Sequence, residues 1–293
     1  FACDAVSKQD SKSRSRVCFK QEENGFSLES TREELYAMLC DGSGDASKID
    51  SVPTLSSKHE NVWEKILILG NPNNPTGRAI SATELERLAE VCRETHTWLM
   101  LDECFQWFLD TRREGSFVGN LLNGVGDHVI LLNALTKICS MAGLRLGYGI
   151  IPNAGLRERL EKFRQPWSVS APAQAGGVAA FAVLADHSEG NLLEWTVKSL
   201  QTERPRLAEK LEELGFIVYP SQTNYLLFRS PDEDSRDYKQ GCLEHGILIR
   251  ACENFEGLNR HYYRVAVRNR GENERLIHIL KEVQSEDKHN VNL

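Results

Sequence analysis

Between residues 65 and 133, short apolar runs alternate with amphipathic stretches. Lys65-Ile-Leu-Ile-Leu-Gly70 is an apolar run ending in a loop, the pattern of a strand buried on both faces. Ser81-Ala-Thr-Glu84 has capping-box spacing, and Leu85, Leu88 and Val91 follow at helical intervals, which predicts a helix beginning at Ser81. Thr97 to Glu103 and His128 to Asn133 read as two further buried strands. Strands alternating with helices in this way predict an α/β domain with a mostly parallel sheet. Ligands of such sheets bind beyond the carboxyl ends of the strands. The polar residues that end the three runs, Asn71 to Gly77, Asp102-Glu103 and Asn133 to Lys137, are therefore expected to converge on one site.

From about Ala171 the pattern lengthens. Ala171 to Asp186 and Leu192 to Leu214 predict long helices, the second kinked or broken at Pro205. Strands at Phe216 to Tyr219, Asn224 to Arg229 and Tyr262 to Val267, with a closing helix from Glu272, predict a smaller α+β domain. The expected division is a large domain over 1–189 and a small C-terminal domain over 190–293. Segments Asp41 to Lys48 and Ser56 to Asn61 are polar and read as surface. The longest unbroken apolar run, Val178 to Ala185, is far short of the roughly 18 residues that a bilayer span needs.

Composition narrows the function classes. With 35 Lys and Arg against 42 Asp and Glu, the net charge of −7 argues against a general nucleic-acid binder, which needs clustered cations. The one dense basic stretch, Lys12 to Arg16, reads as a solvated loop. The eight cysteines (Cys3, Cys18, Cys40, Cys92, Cys104, Cys139, Cys242 and Cys252) show no CxxC pair. They read as reduced cytoplasmic thiols, and neither they nor the eight histidines have metal-ligand spacing. Gly124-Val-Gly126 lacks the third glycine of a dinucleotide loop. Trp107 and Phe108 read as core side chains placed close enough to Asp102 to line a pocket.

Asn71-Pro-Asn-Asn-Pro-Thr-Gly77 taken alone is a strand-ending turn, because Asn, Pro and Gly are turn formers. Its place directly after a strand, however, resembles the N-x-N-P-T-G loop in the aminotransferase branch of the fold-type I pyridoxal-phosphate enzymes. Three more segments in the same order carry that resemblance. Leu101-Asp-Glu103 is similar to the family's strand-end acidic pair, and Thr136-Lys137 with Gly143-Leu-Arg-Leu-Gly-Tyr148 to its cofactor-lysine segment. Tyr263-Arg-Val-Ala-Val-Arg268 is similar to the strand carrying its carboxylate-binding arginine.

The resemblance implies a fold, a cofactor and roles. The fold is the fold-type I α/β large domain with a smaller α+β domain, and the cofactor is pyridoxal 5′-phosphate. Lys137 matches the catalytic lysine that carries the cofactor, and Asp102 the buried carboxylate that keeps its pyridine nitrogen protonated. Asn74 matches the donor to the ring phenolic oxygen, Arg145 the arginine on the cofactor phosphate, and Arg264 the arginine that grips the substrate carboxylate. Asn74, Asp102, Lys137 and Arg145 are expected to point into one cleft near the domain junction. Two positions depart from the pattern: Phe105 stands where many aminotransferases have tyrosine, and Ala134 where a hydroxyl residue commonly meets the phosphate.

Within the family, the chain resembles threonine-phosphate decarboxylases and histidinol-phosphate aminotransferases. Asp102-Glu-Cys-Phe-Gln-Trp-Phe108, Gln165-Pro-Trp-Ser-Val169 and Cys252-Glu-Asn-Phe-Glu-Gly-Leu258 favour the decarboxylases, as does Arg264-Val-Ala-Val-Arg268. The expected activity is decarboxylation of a phosphorylated amino acid in cobalamin biosynthesis, with histidinol-phosphate or another amino-acid transamination as the alternative. The resemblance also implies a homodimer acting on a small molecule, with no nucleic-acid or membrane partner. It further implies a phosphate-binding turn upstream that nothing in Phe1 to Val62 matches, so that the chain starts inside the large domain. A catalytically inactive remnant is the competing class.

Overall fold

A computed structural model describes residues 21–22, 25–26, 65–109, 126–231, 233–255 and 257–286. The polar segments at 12–16, 41–48 and 56–61, the expected upstream turn, Cys3, Cys18, Cys40 and most of the 124–126 glycine segment lie outside the described residues. Gln21–Glu22 (β1) and Gly25–Phe26 (β2) form a two-residue antiparallel pair.

The described residues divide into two compact units, one with 65–71, 80–109 and 126–182, the other with the loop 72–79 and the described residues from 183 to 286. In the first unit, β3 (Lys65–Gly70), β4 (Thr97–Asp102), β5 (Val129–Ala134) and β6 (Gly147–Ile150) form one sheet in that order. The first three are parallel and β6 is antiparallel. Helix α1 (Ala82–Glu94) connects β3 to β4, and its capping box is complete: Ser81 Oγ accepts from the Glu84 N–H at 3.3 Å and Glu84 Oε2 accepts from the Ser81 N–H at 3.0 Å. Such a cap is worth about 1 kcal/mol. Leu85, Leu88, Ala89, Val91 and Cys92 bury the helix's apolar stripe against Leu67, Leu69, Leu99, Leu101, Val129 and Leu131. Each fully buried leucine contributes about 1.5–3 kcal/mol, so this cluster holds the layer together.

Two expectations need correction. β3 is not buried on both faces: Leu67 and Leu69 are buried, but Ile66 and Ile68 are each 51% exposed. Hydropathy reports what a strand face is made of, and not whether another layer covers it. Of the kink or break expected at Pro205, the break is absent, because a single helix, α5 (Leu192–Glu213), runs through it. Buried Leu200, Leu207 and Leu211 anchor this helix on both sides of the proline, which removes only one backbone hydrogen bond.

The first unit continues through a one-turn helix α2 (Leu135–Ile138), α3 (Ala154–Phe163) and α4 (Ala171–Leu184). Gly176 and Gly177 let α4 approach the 142–147 segment, since a Cβ there would lie 2.7 Å from Leu144 Cδ1 or 2.6 Å from Leu146 Cδ2. In the second unit, β7 (Ile217–Val218), β8 (Tyr225–Arg229), β9 (Arg250–Ala251) and β10 (Tyr262–Ala266) form an antiparallel sheet in the order β7-β8-β10-β9. Leu226, Phe228, Tyr263 and Val265 are buried on one face. Helices α6 (Tyr238–Glu244) and α7 (Arg270–Glu286) complete the unit, with Tyr238 packed edge-on to Tyr263 at 5.8 Å.

Candidate active site

Both units carry sequence-predicted residues at the ends of strands. In the first unit, β4 ends at Asp102 and the neighbouring parallel strand β5 runs directly into α2, which carries Lys137. Buried Leu135 and Ile138 fix that single helical turn and leave Lys137 exposed. The chain turns sharply after Asp102, whose Oδ1 accepts the Cys104 N–H at 2.9 Å. Cys104 lies against both groups: burial and then the Asp102 carboxylate push its thiol up to about 12, while the Lys137 ammonium acts in the opposite sense. The Lys137 Nζ stands over the Phe105 ring, 5.3 Å from its centroid. Asp102 and Lys137, from two of the three strand ends expected to converge, are therefore brought to one place.

Asp102 differs in one respect from its expected role. It is exposed rather than buried, because it continues the β4 alternation in which Leu99 and Leu101 point into the core. Trp107 lies nearby and is half-buried, its indole N–H donating to Asn133 Oδ1 at 3.2 Å, while Phe108 is in the core. Burial raises the Tyr148 phenol, which faces Asn133 across β5 and β6. Ala134 is buried and offers no hydroxyl. Arg145 adopts a left-handed backbone (φ 53°), and its exposed Nη1 turns back to the Ala142 carbonyl at 3.1 Å.

In the second unit, the 72–79 loop is tied down residue by residue. Asn73 Oδ1 accepts the Thr76 hydroxyl at 2.9 Å, and the Tyr225 hydroxyl donates to the Asn73 carbonyl at 2.7 Å. The Ala79 N–H donates to Gln222 Oε1 at 2.7 Å, and the Gln222 N–H to the Gly77 carbonyl at 2.8 Å. Gly77 has φ +72° and a Cβ there would fall 2.0 Å from Ser221 Oγ, so only glycine fits. Asn74, joined to Pro75 by a cis peptide, accepts a hydrogen bond on Oδ1 from Arg264 Nη1. That contact orients the amide with its NH₂ available as a donor, the polarity that a phenolic oxygen requires. The Arg264 guanidinium also lies over the Tyr225 ring at 5.1 Å.

Arg250 was missed by the sequence reading. In the antiparallel register, it sits directly opposite Arg264 on the same sheet face, with its Nη2 donating to Asn254 Oδ1 at 2.9 Å. Like charges placed directly across strands are destabilising, and an anion between them offsets that cost. The available signal was the short apolar run Ile247 to Ile249 leading into Arg250, too brief to mark as a strand by periodicity. Tyr225, which braces both Asn73 and Arg264, was likewise unremarked.

The donors of each unit, taken separately, fit pyridoxal phosphate in chemistry: a solvent-accessible lysine amine beside an exposed carboxylate in the first, and an asparagine NH₂ oriented by an arginine in the second. Comparison with known proteins agrees. The pattern of the family described as aminotransferase class I and II matches residues 43–280. A threonine-phosphate decarboxylase of Salmonella typhimurium is 36% identical over 218 residues, 74% of this chain and 57% of the relative. A histidinol-phosphate aminotransferase of Methanosarcina mazei is 31% identical over 222 residues, 76% of this chain and 55% of the relative. Among solved structures, the histidinol-phosphate aminotransferase from Clostridium acetobutylicum is 30% identical with a TM-score of 0.67, covering 75% of this chain and 63% of that one. The chain thus spans a little over half the length of the curated relatives it matches. A histidinol-phosphate aminotransferase from Sinorhizobium meliloti, 26% identical with a TM-score of 0.62 over 74% of this chain and 56% of that one, was solved in complex with pyridoxal-5′-phosphate. The fold is that of the fold-type I enzymes, and the chain belongs to the class I and II aminotransferases, a family of pyridoxal-phosphate-dependent enzymes.

Proposed function

We propose that this protein binds pyridoxal 5′-phosphate and decarboxylates a phosphorylated amino acid, as a threonine-phosphate decarboxylase does. Lys137 would carry the cofactor, with Asp102 to pair with its pyridine nitrogen, the Asn74 NH₂ with its phenolic oxygen and Arg145 with its phosphate. When bound, the cofactor supplies a conjugated ring that accepts the electron pair released as a bond to the substrate Cα breaks. Arg264 grips the substrate carboxylate and Arg250 its phosphate, and two anchors on one small molecule fix the rotation of Cα. With Cα so oriented that the carboxylate is the group lost as carbon dioxide, Lys137 Nζ would be the group that returns a proton to Cα in its place. The facing pair Arg250 and Arg264 is the observation that carries this reading, because it suits a substrate with two anionic groups. The free thiols of Cys92, Cys104, Cys139, Cys242 and Cys252 support a reducing, cytoplasmic setting, and the family relationship supports a homodimer.

Incubation with pyridoxal phosphate and threonine phosphate tests the reading. Release of carbon dioxide with formation of the amino-alcohol phosphate is expected. Transfer of the amino group from glutamate to imidazole-acetol phosphate, with no carbon dioxide released, would move the assignment to the aminotransferase branch, which several of the matched relatives represent. Neither product, and no visible absorbance with the cofactor, would leave the inactive remnant.

A further inference from the structure

The departure at Phe105 has a structural counterpart. The chain leaves β4 at Asp102, and two backbone hydrogen bonds set the turn: the Glu103 N–H donates to the Leu132 carbonyl at 2.8 Å, and the Gln106 N–H to the Glu103 carbonyl at 2.9 Å. A short 3-10 turn over Gln106–Phe108 follows, with Phe105 at its start and Gln106 and Phe108 buried. The Phe105 ring packs against the Phe108 ring, with centroids 6.3 Å apart and planes tilted by 36°, while its own position is half-buried. The Lys137 Nζ sits over the Phe105 ring, 5.3 Å from its centroid. Lys137 comes from a different strand end, so the pairing is not a by-product of local chain geometry.

A phenylalanine ring has no hydroxyl to offer a cofactor oxygen, but its face carries negative quadrupole density that attracts an ammonium ion. We propose that Phe105 is a positioning residue for Lys137, its ring face seating the ε-ammonium at the end of β5 whenever the amine is not covalently engaged. The inference rests on the pyridoxal-phosphate reading above. Capture requires the ammonium to release a proton to solvent, the neutral amine to add to the aldehyde carbon and water to leave; a side chain already held at the strand end starts that step in place, so the ring speeds covalent capture by placement, without contributing to noncovalent binding of the cofactor. A merely structural Phe105 would affect both alike.

The test compares wild-type protein with Phe105→Leu, Phe105→Tyr and Lys137→Ala. Two quantities are read: the rate at which the visible band grows on adding pyridoxal phosphate, with the attached fraction trapped by borohydride and weighed by mass spectrometry, and the affinity for pyridoxamine phosphate, which has no aldehyde. Phe105→Leu is expected to slow capture about threefold, the scale of an exposed cation–π contact, and to leave pyridoxamine-phosphate affinity unchanged. Phe105→Tyr, which keeps the ring face, is expected to capture at the wild-type rate. Capture by Phe105→Leu at the wild-type rate, or an equal loss of pyridoxamine-phosphate affinity in that variant, would overturn the proposal. A wild-type protein with neither band nor mass increase would instead overturn the cofactor reading, and this inference with it.

Discussion

The site residues of the two units are held in opposite ways. Asn74 and Arg264 in the second unit bond to each other within a net that includes Tyr225, Asn73, Thr76 and Gln222. Lys137 and Asp102 in the first unit are both exposed, the lysine resting on one ring face and the aspartate accepting one backbone N–H. The difference follows their proposed tasks. Groups that recognise fixed anions gain from rigidity, since every hydrogen bond made in advance lowers the entropy lost on binding. A group that attaches to one molecule, detaches, and moves a proton must be able to leave its resting contact.

The sharpest test of that contrast is removal of the mobile group. Lys137→Ala is expected to lower turnover by a factor on the order of a thousand while lowering the thermal unfolding temperature by no more than the loss of one exposed cation–π contact. A larger fall in unfolding temperature would show that Lys137 belongs to the framework. Next in size, Arg264→Lys keeps the charge but loses the planar fork that both orients Asn74 and suits a carboxylate. A rise in KM of about ten- to a hundredfold is expected, the scale of hydrogen bonds to a charged group, and steady-state kinetics measures it.

Much of this arrangement was legible in the sequence because each signal was contiguous. The 71–77 loop, the end of β4, the 136–148 segment and the β10 arginine each occupy a short stretch, and the capping box at Ser81 can be read from four residues. Arg250 was not legible, because its pairing with Arg264 depends on an antiparallel register across an intervening loop. The exposure of Ile66 and Ile68 was hidden for a different reason: burial is a property of the neighbouring layer, and the strand's own residues do not encode it. Cys104 reads as an ordinary apolar position until the turn after Asp102 brings it beside a carboxylate and an amine.

Smaller effects address rigidity itself. Gly77→Ala is expected to destabilise the protein by about 2 kcal/mol, from the positive φ together with the contact against Ser221, and urea unfolding would register it. A stability unchanged by this substitution would mean that the loop is not the rigid partner in the comparison.

The smallest predicted effect lies in the first unit. His128 is buried with its Nε2 on the Ala89 carbonyl at 2.7 Å, and burial lowers its pKa below the ordinary 6.5. The unfolded chain therefore takes up a proton first as the pH drops. The stabilisation is complete above about pH 6.5 and is lost progressively below it, as the pH falls through the folded value. Urea midpoints at pH 7.5 and 5.5 should differ more for the wild type than for His128→Gln.

The central claim, that Lys137 at the end of β5 is the group joined to the cofactor, has a direct test in peptide mapping. Protein saturated with pyridoxal phosphate is reduced with borohydride, digested and sequenced by mass spectrometry. A single modified peptide with the added mass on Lys137 is the predicted result. Modification spread over surface lysines, or located on another lysine with Lys137 untouched, would contradict the claim.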